Sequence, residues 1–198
     1  MSYNFFATIS RMKYIQRWAL MRNSRPENLS EHSLEVAMIA HALCTIGNVR
    51  YGRKLDGEKA ALISLYHDAS EIITGDMPTP VKYFNRDIRD AYKEVEEKAE
   101  DRLLSQLPDD LRPEYERIFR MEAGKEEQYM RELVKAADKI SAMIKCIAEE
   151  TSGNAEFRTA QKTIEATLNE MKKTHPEVRD FIDEFVEPYG NTLDELLS

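Results

Sequence analysis

Apolar positions recur along this chain at three- and four-residue intervals, and no stretch alternates for long with period two, so the pattern predicts helices throughout. Residues 3–20 place Phe5, Phe6, Ile9, Met12, Ile15 and Leu20 at intervals suited to one helix face, with Arg11, Lys13 and Arg17 on another side. That spacing predicts a first helix ending near Trp18. A turn-rich connection follows over 21–29, after which Asn28 or Ser30 is placed to cap a second helix and Glu31 favours its first turn. The second helix is expected to run to Ile46 and stop at Gly47-Asn48, a frequent C-terminal signal. Leu34, Val36, Ala37, Met38, Ile39, Ala40, Ala42 and Leu43 cover most of its circumference, so it should be central and packed on several sides.

Asp56 is placed to cap a third helix, whose apolar run carries His67, Asp68 and Glu71 and stops at Gly75, with Asp76 immediately behind. On one continuous helix Glu71 lies four residues after His67 and three after Asp68, so all three project near one side. Pro78 and Pro80 forbid a simple continuation, and 76–84 reads as a loop or a short turn of helix. A charged amphipathic helix over 86–107 ends at Pro108, and a short one follows Pro113. Residues 126–151 form a long helix with Leu133, Ala136, Ala137, Ile140, Met143, Ile144 and Ile147 as its stripe. Asp138 interrupts it on a side lined by Val134, Ala137, Ser141 and Ala142. Residues 155–173 and 177–186 give two more amphipathic helices before the chain tapers into Pro188-Tyr189-Gly190.

Composition agrees with this all-α reading. With 198 residues, 42% of them hydrophobic, the chain is long enough for one domain over 1–198 with a sizeable core, and seven Gly and seven Pro are few breakers for that length. A formal net charge of -8 repels polyanions, which excludes a nucleic-acid polymer or an anionic membrane surface as the main partner. The run from Leu34 to Ile46 is too short to span a bilayer and is interrupted by His41, and the first residues do not read as a secretory signal. Cys44 and Cys146 fall inside apolar helical patterns as small buried hydrophobes, which fits a reducing cytoplasm.

The chemistry lies where polar groups are set into apolar faces, because such groups need hydrogen bonds, an opposite charge or a metal. His32, His67, Asp68 and Asp138 come from three helices that the pattern makes central, and imidazole plus carboxylate is a normal ligand set for a divalent transition metal. Spacing alone does not bring them together.

The order H…HD…D formed by His32, His67-Asp68 and Asp138 resembles the metal-binding signature of the HD-domain phosphohydrolases, an all-helical superfamily. Four strings make the likeness more specific: Arg-Trp-Ala-Leu-Met-Arg-Asn (17–23), Glu-Asn-Leu-Ser-Glu-His-Ser-Leu (27–34), Tyr-His-Asp-Ala-Ser-Glu (66–71) and Thr-Gly-Asp-Met-Pro-Thr-Pro-Val-Lys-Tyr-Phe (74–84). They are similar to the bacterial 5′-deoxynucleotidase branch, the YfbR type, with the match strong over about 5–150 and vague over the C-terminal helices at about 155–197.

The resemblance implies a single-domain HD-type helical bundle. It implies a homodimeric enzyme that removes phosphate from deoxyribonucleoside 5′-monophosphates with one divalent cation, Co2+ or Mn2+, held by His32, His67, Asp68 and Asp138. It further implies Glu71 as the acid/base that positions the attacking water, with Asp68 and Arg17 also in the catalytic set and Arg17 orienting the phosphate. Trp18 would lie by the sugar and exclude a 2′-hydroxyl, Asp76 would accept from the 3′-hydroxyl, and Met77, Pro78 and Thr79 would wall the sugar and base, with His32, Asp68 and Asp138 bordering the substrate as well. The remaining histidines argue for one metal, since His41 is expected as a satisfied core residue and His175 as a surface helix-end residue. Rival readings are an HD phosphohydrolase acting on a triphosphate or a phosphodiester, and a nucleotide-sensing helical module without turnover.

Overall fold

The second expected helix begins at its cap. Asn28 Oδ1 accepts from the Ser30 and Glu31 N–H groups and the Glu31 carboxylate returns to the Asn28 N–H, a reciprocal box that satisfies donors a helix start would otherwise strand. In chain order the computed structural model, which describes residues 2–82 and 84–198, has the helices α1 (Phe5–Ile9), α2 (Leu29–Tyr51), α3 (Gly57–Tyr66), α4 (Glu71–Thr74), α5 (Thr79–Lys82) and α6 (Arg86–Leu104), followed by α7 (Arg112–Phe119), α8 (Lys125–Thr151), α9 (Arg158–Thr174), α10 (Pro176–Phe185) and α11 (Leu193–Leu196). Among the described residues no strand forms, and no helix is long and apolar enough to cross a membrane. The stretch read as a loop or helical turn contains α5; Tyr83 lies outside the described residues.

One helical core organises the domain. The long helices α2 and α8 pack on each other, with α3 against both, and α10 closes over α2. Val36, Ala40 and Leu43 from α2 and Leu133, Ala136, Ala137 and Ile140 from α8 are buried in that core. At about 25 cal/mol per Å2 of apolar surface removed from water, such side chains supply the drive that holds a polar cluster between them. Leu34 and Met38 are exposed, so one side of α2 is uncovered in the single chain.

Helix α2 does not stop at Gly47-Asn48 as expected. It continues to a left-handed cap at Gly52 (φ 64°), and Gly47 serves packing instead: a Cβ there would come 3.0 Å from Glu177 Oε1 on α10. Glu177 is buried against Arg53 and the Tyr129 hydroxyl (2.8 Å), while the Arg53 guanidinium lies 3.9 Å from the Tyr129 ring centroid.

The first helix is also corrected. After α1 and a tight 3-10 turn at Ser10–Tyr14, Ile15 is extended, and residues 15–17 pair with 27–29 through Arg17 N–H to Glu27 O (2.9 Å) and Leu29 N–H to Ile15 O (3.0 Å). The buried anchors Phe5 and Met12 mimic a helical stripe, but this pairing takes the backbone donors a longer helix would need. Trp18 follows in the left-handed region at φ 57°, a conformation that a bulky residue keeps only when its surroundings impose it.

The loop after Trp18 is fastened to α8 by a buried carboxylate. Glu149 accepts from Ser24 N–H (2.8 Å), from Asn154 Nδ2 (2.7 Å) and from Lys145, while Lys145 Nζ also donates to Arg25 O (2.6 Å) and Asn154 Nδ2 to Arg22 O (2.7 Å). Burial works against the Glu149 charge, but Lys145 and the surrounding donors hold its carboxyl down at about 2. Glu149→Ala strands Lys145, and denaturant unfolding of that variant shows a loss of about 3 kcal/mol. Because the folded value lies below the unfolded one, the contribution is full above the unfolded pKa of about 4.3 and disappears as pH falls through the folded value; the stability lead of the wild type over Glu149→Gln therefore shrinks between about pH 5 and pH 2.

Candidate active site

Three elements bring the expected ligands together. His32 stands in the first turn of α2, where the Asn28 cap fixes its backbone, Asp138 projects from the middle of α8, and His67-Asp68 follow the end of α3. His32 Nε2 lies 3.1 Å from Asp138 Oδ1 and 3.6 Å from Asp68 Oδ2, and His67 Nε2 lies 3.1 Å from Asp68 Oδ2. Ligand atoms of His32, His67 and Asp68 all fall within 4.8 Å of one another. His32 is fully buried, whereas the Asp68 and Asp138 side chains are 23% and 24% exposed, so the cluster has a closed floor and a wet side from which a solute can approach.

The expected continuous helix through Glu71 is broken. Ser64 O, the acceptor that Asp68 N–H would take in a continuing helix, instead accepts from His67 Nδ1 at 2.6 Å, and α3 ends at Tyr66. The next turn tightens, with Glu71 N–H bonding Asp68 O (3.0 Å) and Ile72 N–H bonding Ala69 O (3.2 Å). With about three residues per turn in such a stretch, Asp68 and Glu71 come into line. Burial, with the Asp68 and Asp76 charges added, pushes Glu71 up to about 9.

Hydrogen bonding turns both imidazoles toward the cluster. A carbonyl only accepts, so His67 carries a hydrogen on Nδ1 and turns Nε2 toward the cluster. For His32, Ser141 Oγ donates to Glu35 Oε2 (2.6 Å) and lies 3.0 Å from Nδ1, which it receives as an acceptor. Arg17 Nη1 lies 2.8 Å from the same nitrogen and can only donate, so Arg17 and Ser141 make opposite demands of it. Only the demand met by Ser141 leaves His32 Nε2 free for a metal.

Buried His32 Nε2, His67 Nε2 and Glu71 Oε2 have no hydrogen-bond partner in the protein, although groups so placed are normally satisfied. A divalent cation fits that deficit, since neutral imidazole nitrogens and carboxylates are its usual donors. The carboxylates are held in the charged form a cation needs: burial would raise Asp68, but His67 and then His32 hold it at about 2, and His32, 3.1 Å away, and Lys139 keep Asp138 low against the same penalty.

Arg17 and Trp18 reach this site from the extended segment. Trp18 N–H donates to Asp76 Oδ2 (3.1 Å), which joins the chain after α4 to that segment, and burial raises the Asp76 pKa although Arg17 opposes it. Met77 and Pro78 follow half-buried, and Thr79 is exposed at the start of α5. Neither remaining histidine joins the cluster, and both expectations for them are corrected. His41 is exposed, since it lies on the uncovered side of α2; His175 is buried, 3.1 Å from Glu132 Oε2 and beside the Tyr129 ring.

The 5′-deoxynucleotidase YfbR-like family matches residues 4–189. A 5′-deoxynucleotidase of Shewanella oneidensis is 46% identical over 98% of this chain and 97% of its own. The chain belongs to the YfbR-like 5′-deoxynucleotidase family. Among solved structures, an HD-domain phosphohydrolase from Listeria innocua superposes with a TM-score of 0.79 at 24% identity, covering 94% of this chain and 88% of that one. A cyanophage S-2L HD phosphohydrolase, bound to dA and one catalytic Zn2+ ion, gives 0.65 at 20% identity over 96% and 98%. These two likenesses bear on the fold.

Glu27, Glu35 and Ser141 are site residues that the sequence reading did not assign. Ser141 was readable, because it lies one turn beyond Asp138 on the same side of its helix. Glu27 and Glu35 carry no such signal, being acidic residues beside a turn and on a helix. The donor set predicts that Asp68→Ala, stripped with chelator and reloaded, retains much less metal than the wild type by elemental analysis, whereas Glu71→Ala retains it. Metal at a hundred times its Kd should stabilise the wild type by about 2.7 kcal/mol and Asp68→Ala by far less.

Proposed function

We propose that this protein is a 5′-deoxynucleotidase that hydrolyses deoxyribonucleoside 5′-monophosphates to deoxyribonucleosides and phosphate. The observation that carries the reading is the meeting of His32, His67, Asp68 and Asp138, with their unpartnered buried imidazole nitrogens, in a chain of the YfbR-like family. In this reading those four residues hold one cation, and their mixed imidazole and carboxylate character favours a first-row ion, Co2+ or Mn2+. When bound, the cation lowers the pKa of water and polarises a phosphoryl oxygen.

The protein's own groups orient the substrate and move the proton. A phosphomonoester dianion repels an incoming oxygen nucleophile, and Arg17 offsets that charge. Its Nη1 is engaged by Glu27, which leaves the Nε–H and Nη2–H donors of the planar fork for phosphate oxygens. Glu71, with Oε2 unpartnered and Asp68 in line beside it, positions the attacking water. The water oxygen bonds to phosphorus, the P–O5′ bond breaks, and the proton that water sheds ends on the 5′-oxygen with Glu71 as its carrier.

Trp18 walls the sugar against a 2′-hydroxyl. Asp76 gives Oδ2 to the Trp18 N–H and keeps Oδ1 for the 3′-hydroxyl, and Met77, Pro78 and Thr79 flank the sugar and base. The free, buried thiols of Cys44 and Cys146 support a cytoplasmic setting, and the exposed Leu34 and Met38 on α2 support a homodimer.

The test is phosphate release from paired deoxyribo- and ribonucleotides with each of several divalent ions; release from both sugars at equal rates, or none from either, would reject the reading. Glu71→Ala should lower kcat by about 10^2 to 10^4 while metal content and nucleotide affinity, measured by calorimetry, stay near wild type. For Trp18→Ala the ratio of kcat/KM for a deoxyribonucleotide over its ribonucleotide should fall, because an apolar wall rejects an added hydroxyl only by a factor on the order of a hundred and does so by exclusion. Equal losses for both sugars would make Trp18 a general binding surface.

A further inference from the structure

We propose that Glu27 is a positioning residue that locks Arg17 and Trp18 into one unit, so that a single carboxylate sets both the phosphate grip and the sugar wall. This rests on the roles proposed above for those two residues. One oxygen does both jobs: Glu27 Oε2 accepts from Arg17 Nη1 at 2.7 Å and from the Trp18 indole Nε1–H at 3.1 Å. The Glu27 and Arg17 side chains are only 14% and 11% exposed, so solvent screens this pair far less than a surface ion pair.

The two contacts fix different degrees of freedom. An indole held by apolar contact alone, here Phe157 at 5.3 Å between ring centroids, still turns about its side-chain bonds, whereas a bond from its one polar hydrogen sets the plane of the ring. On Arg17 the Glu27 carboxylate occupies one arm of the fork and so determines where the other arm points. The Arg17 guanidinium carbon also lies 5.6 Å from the centroid of the Trp18 ring, so displacement of one moves the surroundings of the other.

The backbone carries the same coupling. Arg17 N–H bonds Glu27 O, Gln16 pairs with Asn28, and Asn28 is the cap of α2, the helix that bears His32. Trp18 keeps its left-handed backbone under three further restraints: its N–H on Asp76 Oδ2, and its carbonyl taking Asn23 Nδ2 (3.1 Å) and Met21 N–H (2.9 Å). These restraints fix the Trp18 main chain; among the described residues, Glu27 is the one that hydrogen-bonds its ring.

Trp18 is the only tryptophan in the chain, which gives a readout independent of turnover. The experiment compares full-length wild type, Glu27→Ala, Glu27→Gln and Trp18→Ala, each loaded with the same metal. It measures tryptophan emission and acrylamide quenching, without substrate, of the three proteins that keep Trp18, and kcat/KM of all four for 2′-deoxyadenosine and adenosine 5′-monophosphates. Glu27→Ala should shift the emission, increase quenching and lower kcat/KM for the deoxyribonucleotide on the order of tenfold, since a small misplacement of a positioned group costs that much or more. Its deoxyribose to ribose ratio should fall toward that of Trp18→Ala at unchanged metal content. Glu27→Gln keeps an oxygen for the indole but loses the charge facing Arg17, so it should restore emission and sugar ratio while KM stays raised.

Wild-type emission and sugar ratio in Glu27→Ala would overturn the assignment and leave Glu27 an ordinary ion pair. If Trp18→Ala itself leaves the ratio unchanged, the sugar role of Trp18 fails, and the emission of Glu27→Ala still decides whether the lock exists. Should Glu27→Ala not fold, Glu27→Gln decides: a wild-type KM overturns the proposal, and a raised KM with retained sugar ratio and metal content supports it.

Discussion

A fully buried imidazole nitrogen facing two carboxylates is the condition around which this fold is arranged. Desolvated charge of this kind is costly unless every lone pair and proton is matched, and the cost grows when one member is removed. His32, Asp68 and Asp138 come from separate elements, so the matching requires α2, α8 and the end of α3 to meet in one register. The cap at Asn28 sets the start of α2, the apolar faces of α2 and α8 set their approach, and Ser141 and Glu35 set the imidazole. Without a cation, the proton takes its place: burial would lower the pKa of His67, but Asp68 and then Asp138 raise it to about 9. The cluster is thus built for a positive charge, which a proton and a metal compete to provide.

This local demand explains how a chain of net charge -8 serves a dianionic substrate. Charges farther away than about 8 Å are largely screened at physiological ionic strength, so the overall sign matters less than the few groups at the site. Arg17 is one of them; burial opposes its charge, but Glu27, Asp138, Asp68 and Asp76 more than compensate and raise its pKa. A buried guanidinium held by carboxylates stays ionised and keeps its direction, which a flexible surface lysine would not. The negative surroundings that would repel phosphate are therefore also what keep Arg17 charged.

What could be read from the sequence follows from how local each feature is. The helices over 29–51 and 125–151 announce themselves through apolar periodicity, and both exist, although Leu34 and Met38, expected to be covered, are exposed on α2. The clustering of His32, His67, Asp68 and Asp138 was foreshadowed because such types are improbable in apolar surroundings. Periodicity failed where tertiary pairing overrules it, as at residues 15–17, whose backbone pairs with 27–29 in place of extending a helix. It failed also for His41, which lies on the uncovered side of α2, and for His175, which packs against Glu132 and Tyr129 of α8. Gly47 misled in the opposite direction, since its small size is required by α10 and not by a helix end.

The break after Tyr66 shows why the site needs a departure from regular structure that no pattern of apolar residues encodes. Along an ordinary helix Asp68 and Glu71 would be neighbours about 60° apart around the axis, near each other but aimed apart. By diverting the Ser64 carbonyl to its own ring, His67 ends α3 at Tyr66 and lets the following turn tighten. The imidazole thereby gains the hydrogen bond that orients it, and Asp68 and Glu71 gain the alignment that sets their charges against each other. Repulsion from Asp68 adds to burial in keeping Glu71 protonated, so a positive charge brought against Asp68 lowers the Glu71 pKa. One side chain therefore faces the carboxylate cluster, ends a helix and, through the turn it creates, bears on the charge of Glu71.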